Sequence, residues 1–179
     1  MKRCDVINIS SDAFKAMIFD LDGVVTDTAE LHAEAWKKMF DAFLESKGRL
    51  EKKTYAPFDE KSDYLAHVDG KPRYKGVADF LGSRGIHLPH GNPQDPPGKE
   101  TICGLGNRKN EIFNELLSKG KVRVYESTVE LIRKLRELNV KTAIVSSSKN
   151  CRKILKAAGI SDLFDARSEE RRVGKECAT

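Results

Sequence analysis

Two short, nearly continuous apolar runs stand out in the hydrophobic pattern, "FKAMIFD" at 14–20 and "KTAIVS" at 141–146. Runs of this length are typical of β-strands, and their lack of polar alternation favours strands buried on both faces, as in a parallel sheet. After the first run the apolar positions, such as Leu31, Ala35 and Met39, follow a helical period. The pattern therefore predicts an α/β fold with a parallel sheet.

Helical periodicity continues through most of the remaining chain. The helix that includes Leu31 is predicted to end at Gly48, and "STVE" at 127–130 is predicted to act as a capping box that opens a helix through "LIRKLREL". The other segments with helical spacing and plausible ends are 59–68, 72–83, 107–119 and 149–159. The Pro- and Gly-rich stretch at 88–98 is predicted to be a loop.

The spacing of the two predicted strands indicates an insertion. About 120 residues separate them, whereas a crossover between parallel strands needs only a dozen or more. Structureless loops of that length are uncommon in compact domains. We therefore predict a core formed by 1–30 and 120–166, with a helical subdomain inserted at 31–119.

Composition narrows the class of function. The net charge of +5 comes from lysines and arginines that are spread out and not interleaved with aromatic residues, which argues against nucleic acid binding. No apolar run is long enough to span a bilayer, and the first residues lack the apolar region of a signal peptide. The four cysteines show no C-x-x-C spacing, so we expect reduced thiols and a cytoplasmic protein.

Two carboxylates end the first apolar run. Asp20 and Asp22 lie two residues apart, so in an extended segment both side chains point to the same side, at the strand end where α/β sheets bind ligands. Mg²⁺ prefers one or two carboxylates plus phosphate oxygens, and an aspartate can also attack phosphorus. An ordinary turn after a strand is the alternative, since Asp and Gly23 are common turn residues. An EF-hand is excluded because the glycine falls at the wrong loop position.

The sequence at 167–177, "RSEERRVGKEC", resembles the translation of a common sequencing-adapter oligonucleotide. We therefore predict that 167–179 is a non-native tail that does not belong to the fold. On this reading, the natural gene is expected to continue beyond Ala166, and the fragment is expected to be unstable.

Several segments together resemble the haloacid dehalogenase superfamily, in the form of its β-phosphoglucomutase-like members. The first motif of that family is similar to "FDLDGVVTDTAELH", and the second to "AIVSSSKN". The segments "RYKGVADFL", "GLGNRKN" and "AAGISDLFDA" resemble further parts in the same order. The resemblance covers 14–166 and implies a Rossmann-like core with a helical cap.

The resemblance implies a role for each matching residue of the core. Asp20 matches the nucleophile that becomes phosphorylated and also ligates Mg²⁺. Asp22 matches the general acid and base, whose main-chain oxygen also contacts the metal. Ser146 matches the hydroxyl that hydrogen-bonds the transferring phosphoryl group.

Five further residues match substrate-binding positions. Ser148 and Lys149 follow Ser146 in a loop that lies near the phosphoryl group or the substrate in the family. The alternative is that Ser148 only caps a helix and that the Lys149 side chain is only solvated. Arg73 and Lys109 match cap residues that grip the distal phosphate, and surface solvation is their alternative. His32 matches a hinge histidine that helps align the acid, with simple packing as the alternative.

The implied activity is Mg²⁺-dependent phosphoryl transfer through an aspartyl-phosphate, on a small-molecule sugar phosphate and without an obligate protein partner. A β-phosphoglucomutase-like conversion of a β-hexose 1-phosphate to the 6-phosphate is the first hypothesis, and a sugar-phosphate phosphatase is the second. The family also uses a third-motif lysine and a fourth-motif acidic pair, which are expected beyond Ala166. An inactive fragment is therefore the third hypothesis.

Overall fold

The structure, a computed structural model, describes residues 9–120, 122–146 and 148–168. The chain divides into a core unit, Met1–Thr28 with Lys121–Thr179, and a helical unit, Ala29–Gly120. The described elements are, in chain order, β1 (Ala16–Asp20), β2 (Thr26–Asp27), α1 (Ala29–Glu51), a π-helical turn (Tyr64–Val68), α2 (Arg73–Ser83), α3 (Ile102–Lys119), β3 (Arg123–Val124), α4 (Glu126–Glu137), β4 (Lys141–Val145), α5 (Cys151–Ala157), a 3₁₀ turn (Ser161–Leu163) and β5 (Ala166–Arg167).

The core unit contains a parallel sheet with strand order β1-β4-β5. Its register pairs Phe19 with Ile144, and both side chains are buried. On the opposite face Ile18 is 67% exposed and Val145 is 46% exposed. The predicted α/β fold with a parallel sheet is therefore confirmed and both predicted strands are present, but the expectation that these strands are buried on both faces is wrong. A second, antiparallel pair is formed by β2 and β3.

An aromatic cluster forms the centre of the helical unit. The ring centroid of Phe40, on α1, lies 4.1 Å from that of Phe80 on α2 and 5.2 Å from that of Phe58. All three side chains are at most 1% exposed. Trp36, one turn before Phe40, stacks on it at 5.2 Å. Burial of these rings contributes to the stability of this unit.

Gly48 does not end α1, contrary to the prediction. The helix continues to Glu51, and the residue that leaves the helical path is Lys52, with φ of 53°. The next amide, of Lys53, donates to the Gly48 carbonyl at 3.0 Å. A Cβ at Gly48 would lie 2.5 Å from the Lys53 oxygen, so the glycine permits this close return of the chain.

Two predicted helix starts are wrong as well. Helix α4 begins at Glu126, which places Ser127 inside the first turn, and its cap residue Tyr125 makes no side-chain capping bond. Helix α3 begins at Ile102, five residues before the predicted start, because the Thr101 side chain accepts a hydrogen bond from the amide of Gly104 at 2.9 Å. The predicted loop at 88–98 has no helix or strand.

The start of the predicted tail lies within the described residues. Arg167 belongs to β5 and pairs with Ile144 of β4. Residues 169–179, which make up most of that tail, lie outside the described residues. In the described part of the chain, no helix combines the length and the apolar character needed to cross a membrane.

Replacing Phe80 with Ala should lower the free energy of unfolding by about 3–5 kcal/mol, because the cavity would lie inside the aromatic cluster. Urea unfolding followed by the fluorescence of Trp36, the single tryptophan, measures the change in the helical unit. Leu65→Ala is the control. That side chain is 69% exposed, so the expected change is within about 0.5 kcal/mol. Equal effects of the two substitutions would contradict this description of the core.

Candidate active site

The carboxyl ends of β1 and β4 bring the first candidate residues together. Asp20, the last residue of β1, is in register with Val145, the last residue of β4, and Ser146 follows at once. Neighbouring strands are about 4.8 Å apart. Asp20 and Ser146 therefore lie at the same edge of the sheet, on adjacent strands.

A tight turn follows Asp20. Leu21 is fully buried, and its carbonyl oxygen accepts the amides of Val25 at 3.0 Å and Thr26 at 2.9 Å. Gly23 has φ of 80°, a conformation that glycine adopts without strain, and its amide donates to Thr26 at 2.8 Å. The turn anticipated as an alternative is thus real. It holds the exposed Asp20 and the half-buried Asp22 on either side of a buried leucine.

Both carboxylates accept hydrogen bonds. The amide of Leu21 donates to Oδ1 of Asp20 at 2.7 Å. The hydroxyl of Thr28, a residue with no exposed surface, donates to Oδ1 of Asp22. The sequence analysis did not identify Thr28 as a candidate, because a threonine near a strand end has an ordinary structural explanation.

The loop after β4 is ordered by its own hydroxyls. The amide of Ser148 donates to Oγ of Ser146 at 3.0 Å, and the amide of Asn150 donates to Oγ of Ser148 at 3.1 Å. The amide of Ser146 donates to Oγ of Ser168 at 3.2 Å. The Ser148 hydroxyl thus makes a local turn contact, and the cap residue of the helix that follows is Asn150, which has no side-chain capping bond. Lys149 is exposed in the same loop.

The two carboxylates at the carboxyl end of β1 suit Mg²⁺ better than a metal ion that takes all its ligands from protein side chains. Among the described residues, no group of three or more His, Cys, Asp or Glu side chains could hold a metal ion. Mg²⁺ usually keeps several waters and binds through one or two carboxylates plus substrate phosphates. Asp20 and Asp22 fit that requirement.

The helical unit brings His32 and Lys109 together. Nζ of Lys109 lies 2.7 Å from Nδ1 of His32, whose ring stacks on Phe113 with centroids 4.2 Å apart. Lys109 is only 6% exposed, and its ammonium group lies 5.0 Å from the ring centroids of Trp36 and Phe113. Burial, with the Lys109 charge, lowers the pKa of His32 to about 3. The imidazole is therefore neutral at pH 7, and Nδ1 accepts the hydrogen bond, because an ammonium group only donates.

Arg73, the first residue of α2, forms a second cluster in this unit. Its Nη2 donates to Oη of Tyr74 and Oδ1 of Asn107, both at 3.3 Å, and its guanidinium lies 5.1 Å from the centroid of the Tyr74 ring. Nε of Arg73 is buried without a hydrogen-bond partner among the described residues. Nothing in the sequence places Asn107 opposite Arg73, so it was not among the candidate residues.

These features agree with a match to a known family. A family model described as haloacid dehalogenase-like hydrolase matches residues 14–177. The chain belongs to this family, as the resemblance predicted. The match extends into 167–177, and the assignment of those residues to a non-native tail stays a prediction.

Several relatives within the family are β-phosphoglucomutases. The protein of that name from Mycobacterium tuberculosis is 42% identical over 153 residues, which cover 86% of this chain and 58% of that protein. The Bacillus subtilis protein of the same name is 32% identical, with 85% and 59% covered. The crystal structure of β-phosphoglucomutase from Clostridium difficile has a TM-score of 0.64 and 26% identity, with 86% and 60% covered. The chain thus spans about three-fifths of the length of these relatives.

Lowering the pH from about 7 to about 5 should destabilise the helical unit. The pKa of His32 is about 3 in the folded state and 6.5 ordinarily. Above 6.5 both states hold the neutral ring, and between 6.5 and 3 only the unfolded state takes up the proton. The expected loss of unfolding free energy is measured by urea titration at both pH values.

The variant His32→Gln should flatten this pH dependence, because it removes the titrating group. His87→Gln, a change in an exposed histidine of the helical unit, should leave the pH dependence as it is. An identical slope in wild type and His32→Gln would contradict the neutral, half-buried imidazole.

Proposed function

We propose that the protein is a Mg²⁺-dependent sugar-phosphate phosphotransferase that acts through an aspartyl-phosphate. The proposed reaction is β-phosphoglucomutase-like and converts a β-hexose 1-phosphate to the hexose 6-phosphate. The observation that carries the proposal is the pairing of β1 with β4, which puts an exposed Asp20 carboxylate beside Ser146 at the carboxyl edge of a parallel sheet. Relatives named β-phosphoglucomutase at 42% and 32% identity support the choice of substrate class.

In the proposed first step, a carboxylate oxygen of Asp20 bonds to phosphorus while the bond from phosphorus to the sugar oxygen breaks. Asp22 supplies the proton to that leaving oxygen. In the second step, a hydroxyl of a second sugar phosphate gives its proton to Asp22 and takes the phosphoryl group from Asp20, and the other phosphate of the resulting bisphosphate can then be transferred to Asp20 in the same way. The hydroxyl of Ser146 donates to a phosphoryl oxygen in both steps. Bound at the Asp20 side chain and the Asp22 main-chain oxygen, Mg²⁺ would offset the charge between carboxylate and phosphate.

In the proposal, the other candidate residues bind substrate. Arg73 is the group for the distal phosphate, and its side-chain hydrogen bonds within the described residues use Nη2 alone, which leaves other guanidinium donors for a phosphate. Ser148 and Lys149 are proposed to approach the phosphoryl group or the sugar. Lys109 is buried in contact with His32. We therefore expect these two residues to act together, on the substrate or on the general acid Asp22, rather than Lys109 alone to bind phosphate.

A sugar-phosphate phosphatase is the second candidate, favoured by the family's description as hydrolases. The same residues serve both reactions, and the difference is whether water or a second sugar takes the phosphoryl group from Asp20. The third candidate is that this chain is inactive and catalyses neither reaction. A cytoplasmic location is part of the proposal, supported by Cys103 and Cys151, which form no disulfide within the described residues.

Incubation with β-glucose 1-phosphate and Mg²⁺, followed by ³¹P NMR, separates the three candidates. Glucose 6-phosphate supports the mutase, and free phosphate alone supports the phosphatase. The variant Asp20→Asn removes the nucleophile and should lower turnover by more than about a thousandfold. Undiminished turnover in this variant would refute the proposal.

The matched control is the same substitution in the longer M. tuberculosis relative. Loss of activity there, with no turnover by this chain, would support the inactive candidate for the chain while keeping the role of the aspartate. Asp27→Asn is a control within the chain, since this nearby carboxylate is ion-paired to Arg123 at 2.9 Å and has no proposed chemical role.

Thr28→Val should slow phosphoryl transfer about tenfold with little change in KM, because Asp22 loses the hydroxyl that orients it. Thr28→Ser keeps a hydroxyl and should recover most of the rate. Steady-state kinetics of both variants measure the effect. A rate equal to wild type in Thr28→Val would show that the hydrogen bond does not position Asp22.

A further inference from the structure

Asn107 connects Arg73 to the Pro- and Gly-rich loop of the helical unit. Nδ2 of Asn107 donates to the carbonyl oxygens of Pro93 at 3.0 Å and Asp95 at 2.9 Å. Its Oδ1 accepts from Arg73 at 3.3 Å and from Tyr74 at 3.0 Å. The nitrogen of an amide only donates and its oxygen only accepts. The two loop carbonyls therefore fix the direction in which Oδ1 faces, which is toward Arg73.

The loop itself is held firmly. Asp95 is 7% exposed and accepts hydrogen bonds from Lys99 at 2.6 Å, Thr101 at 2.8 Å and the amide of Asn92 at 3.0 Å. These bonds, that of Lys99 first, lower the pKa of Asp95 to about 2. Gly91 has φ of 76°, and a Cβ there would lie 2.3 Å from Oδ2 of Asp95. The loop can therefore act as a fixed support for Asn107.

On the other side of Asn107, the bonding of Arg73 is incomplete. Its two hydrogen bonds, to Tyr74 and Asn107, are long and use the same nitrogen, and Nε lacks a partner among the described residues. The ring of Tyr74 is itself confined, since a Cβ at Gly106 would lie 2.7 Å from it. A buried donor without an acceptor is rare in folded proteins. A phosphate oxygen at the remaining N–H groups of the guanidinium would add to these hydrogen bonds.

We propose that Asn107 is a positioning residue for Arg73, and that the Pro- and Gly-rich loop at 88–98 sets the orientation of the Asn107 amide. Asn107 does not touch the ligand in this account. It holds the guanidinium over the Tyr74 ring, so that the N–H groups not bonded to Tyr74 or Asn107 can donate to the phosphate of a sugar phosphate. The inference rests on the proposed function, because it takes Arg73 as the phosphate-binding group.

The test titrates the chain with glucose 6-phosphate and follows the Nε–H signal of Arg73 by NMR, assigned from its absence in Arg73→Lys. Asn107→Ala should shift this signal in the free protein and weaken binding about tenfold. Asn107→Gln keeps the amide and should recover part of the affinity. The control is Asn114→Ala on the same helix, where the side chain donates to the Asn110 carbonyl at 2.7 Å, and it should change neither signal nor affinity.

Gly91→Ala tests the contribution of the loop. It should weaken binding in the wild-type background and have no further effect in Asn107→Ala, because the loop acts through Asn107. A lower melting temperature of Asn107→Ala with unchanged Arg73 signal and affinity would overturn the proposal, since it would show a purely structural role. Independent, additive effects of the two variants would overturn the coupling to the loop.

Failure of the proposed function gives a different result. If the wild-type chain does not bind glucose 6-phosphate, the phosphate-binding role of Arg73 is wrong. The Arg73 signal of the free protein still decides whether Asn107 positions the guanidinium, because that measurement needs no ligand.

Discussion

The parallel pairing of β1 with β4 is the constraint on which the candidate site depends. Parallel strands end at the same edge of a sheet, so their register decides which side chains meet there. Phe19 and Ile144 are paired and buried on the same face, which fixes that register. A slip by one residue would turn one of these side chains away from the core and would displace Asp20 from Ser146. Apolar packing thus determines the position of the polar groups.

Polar side chains in both units are oriented by groups that have no proposed contact with a ligand. Thr28 donates to Asp22 in the core unit, and in the helical unit Asn107 accepts from Arg73. Such arrangements reduce the freedom of a functional side chain before any ligand binds. Within the helical unit, the buried ammonium group of Lys109 donates to the neutral ring of His32. A buried charge needs such a partner, because it has lost its contacts with water.

Local pattern was sufficient for the strands and for the turn after β1, although it misplaced the helix boundaries at Gly48 and Ser127. Continuous apolar runs gave both long strands, and the two carboxylates with a glycine gave the turn after β1. The start of α3 was missed because Gly104 and Gly106 weaken the helical signal. The fold needs them for packing, since a Cβ at Gly104 would lie 2.3 Å from the Lys99 oxygen and one at Gly106 would lie 2.7 Å from the Tyr74 ring. The sequence signal and the packing requirement conflict at these two residues.

Contacts between distant parts of the chain were also beyond the sequence analysis. His32 and Lys109 are far apart in sequence, and only the packing of α1 against α3 brings them together. Arg73 and Asn107 meet through the packing of α2 and α3 in the same way. Each residue alone has the ordinary explanation of a solvated or capping group. Their significance follows from three-dimensional neighbours that single-sequence periodicity does not specify.

The central claim is that Asp20 carries the phosphoryl group, and chemical trapping of the intermediate tests it most directly. The chain is incubated with β-glucose 1-phosphate and Mg²⁺, quenched in acid and reduced with borohydride, which converts an aspartyl-phosphate to homoserine. Peptide mass spectrometry then locates the modified residue. The account predicts homoserine at position 20. Modification at Asp22, or a phosphate retained on Ser146, would contradict it.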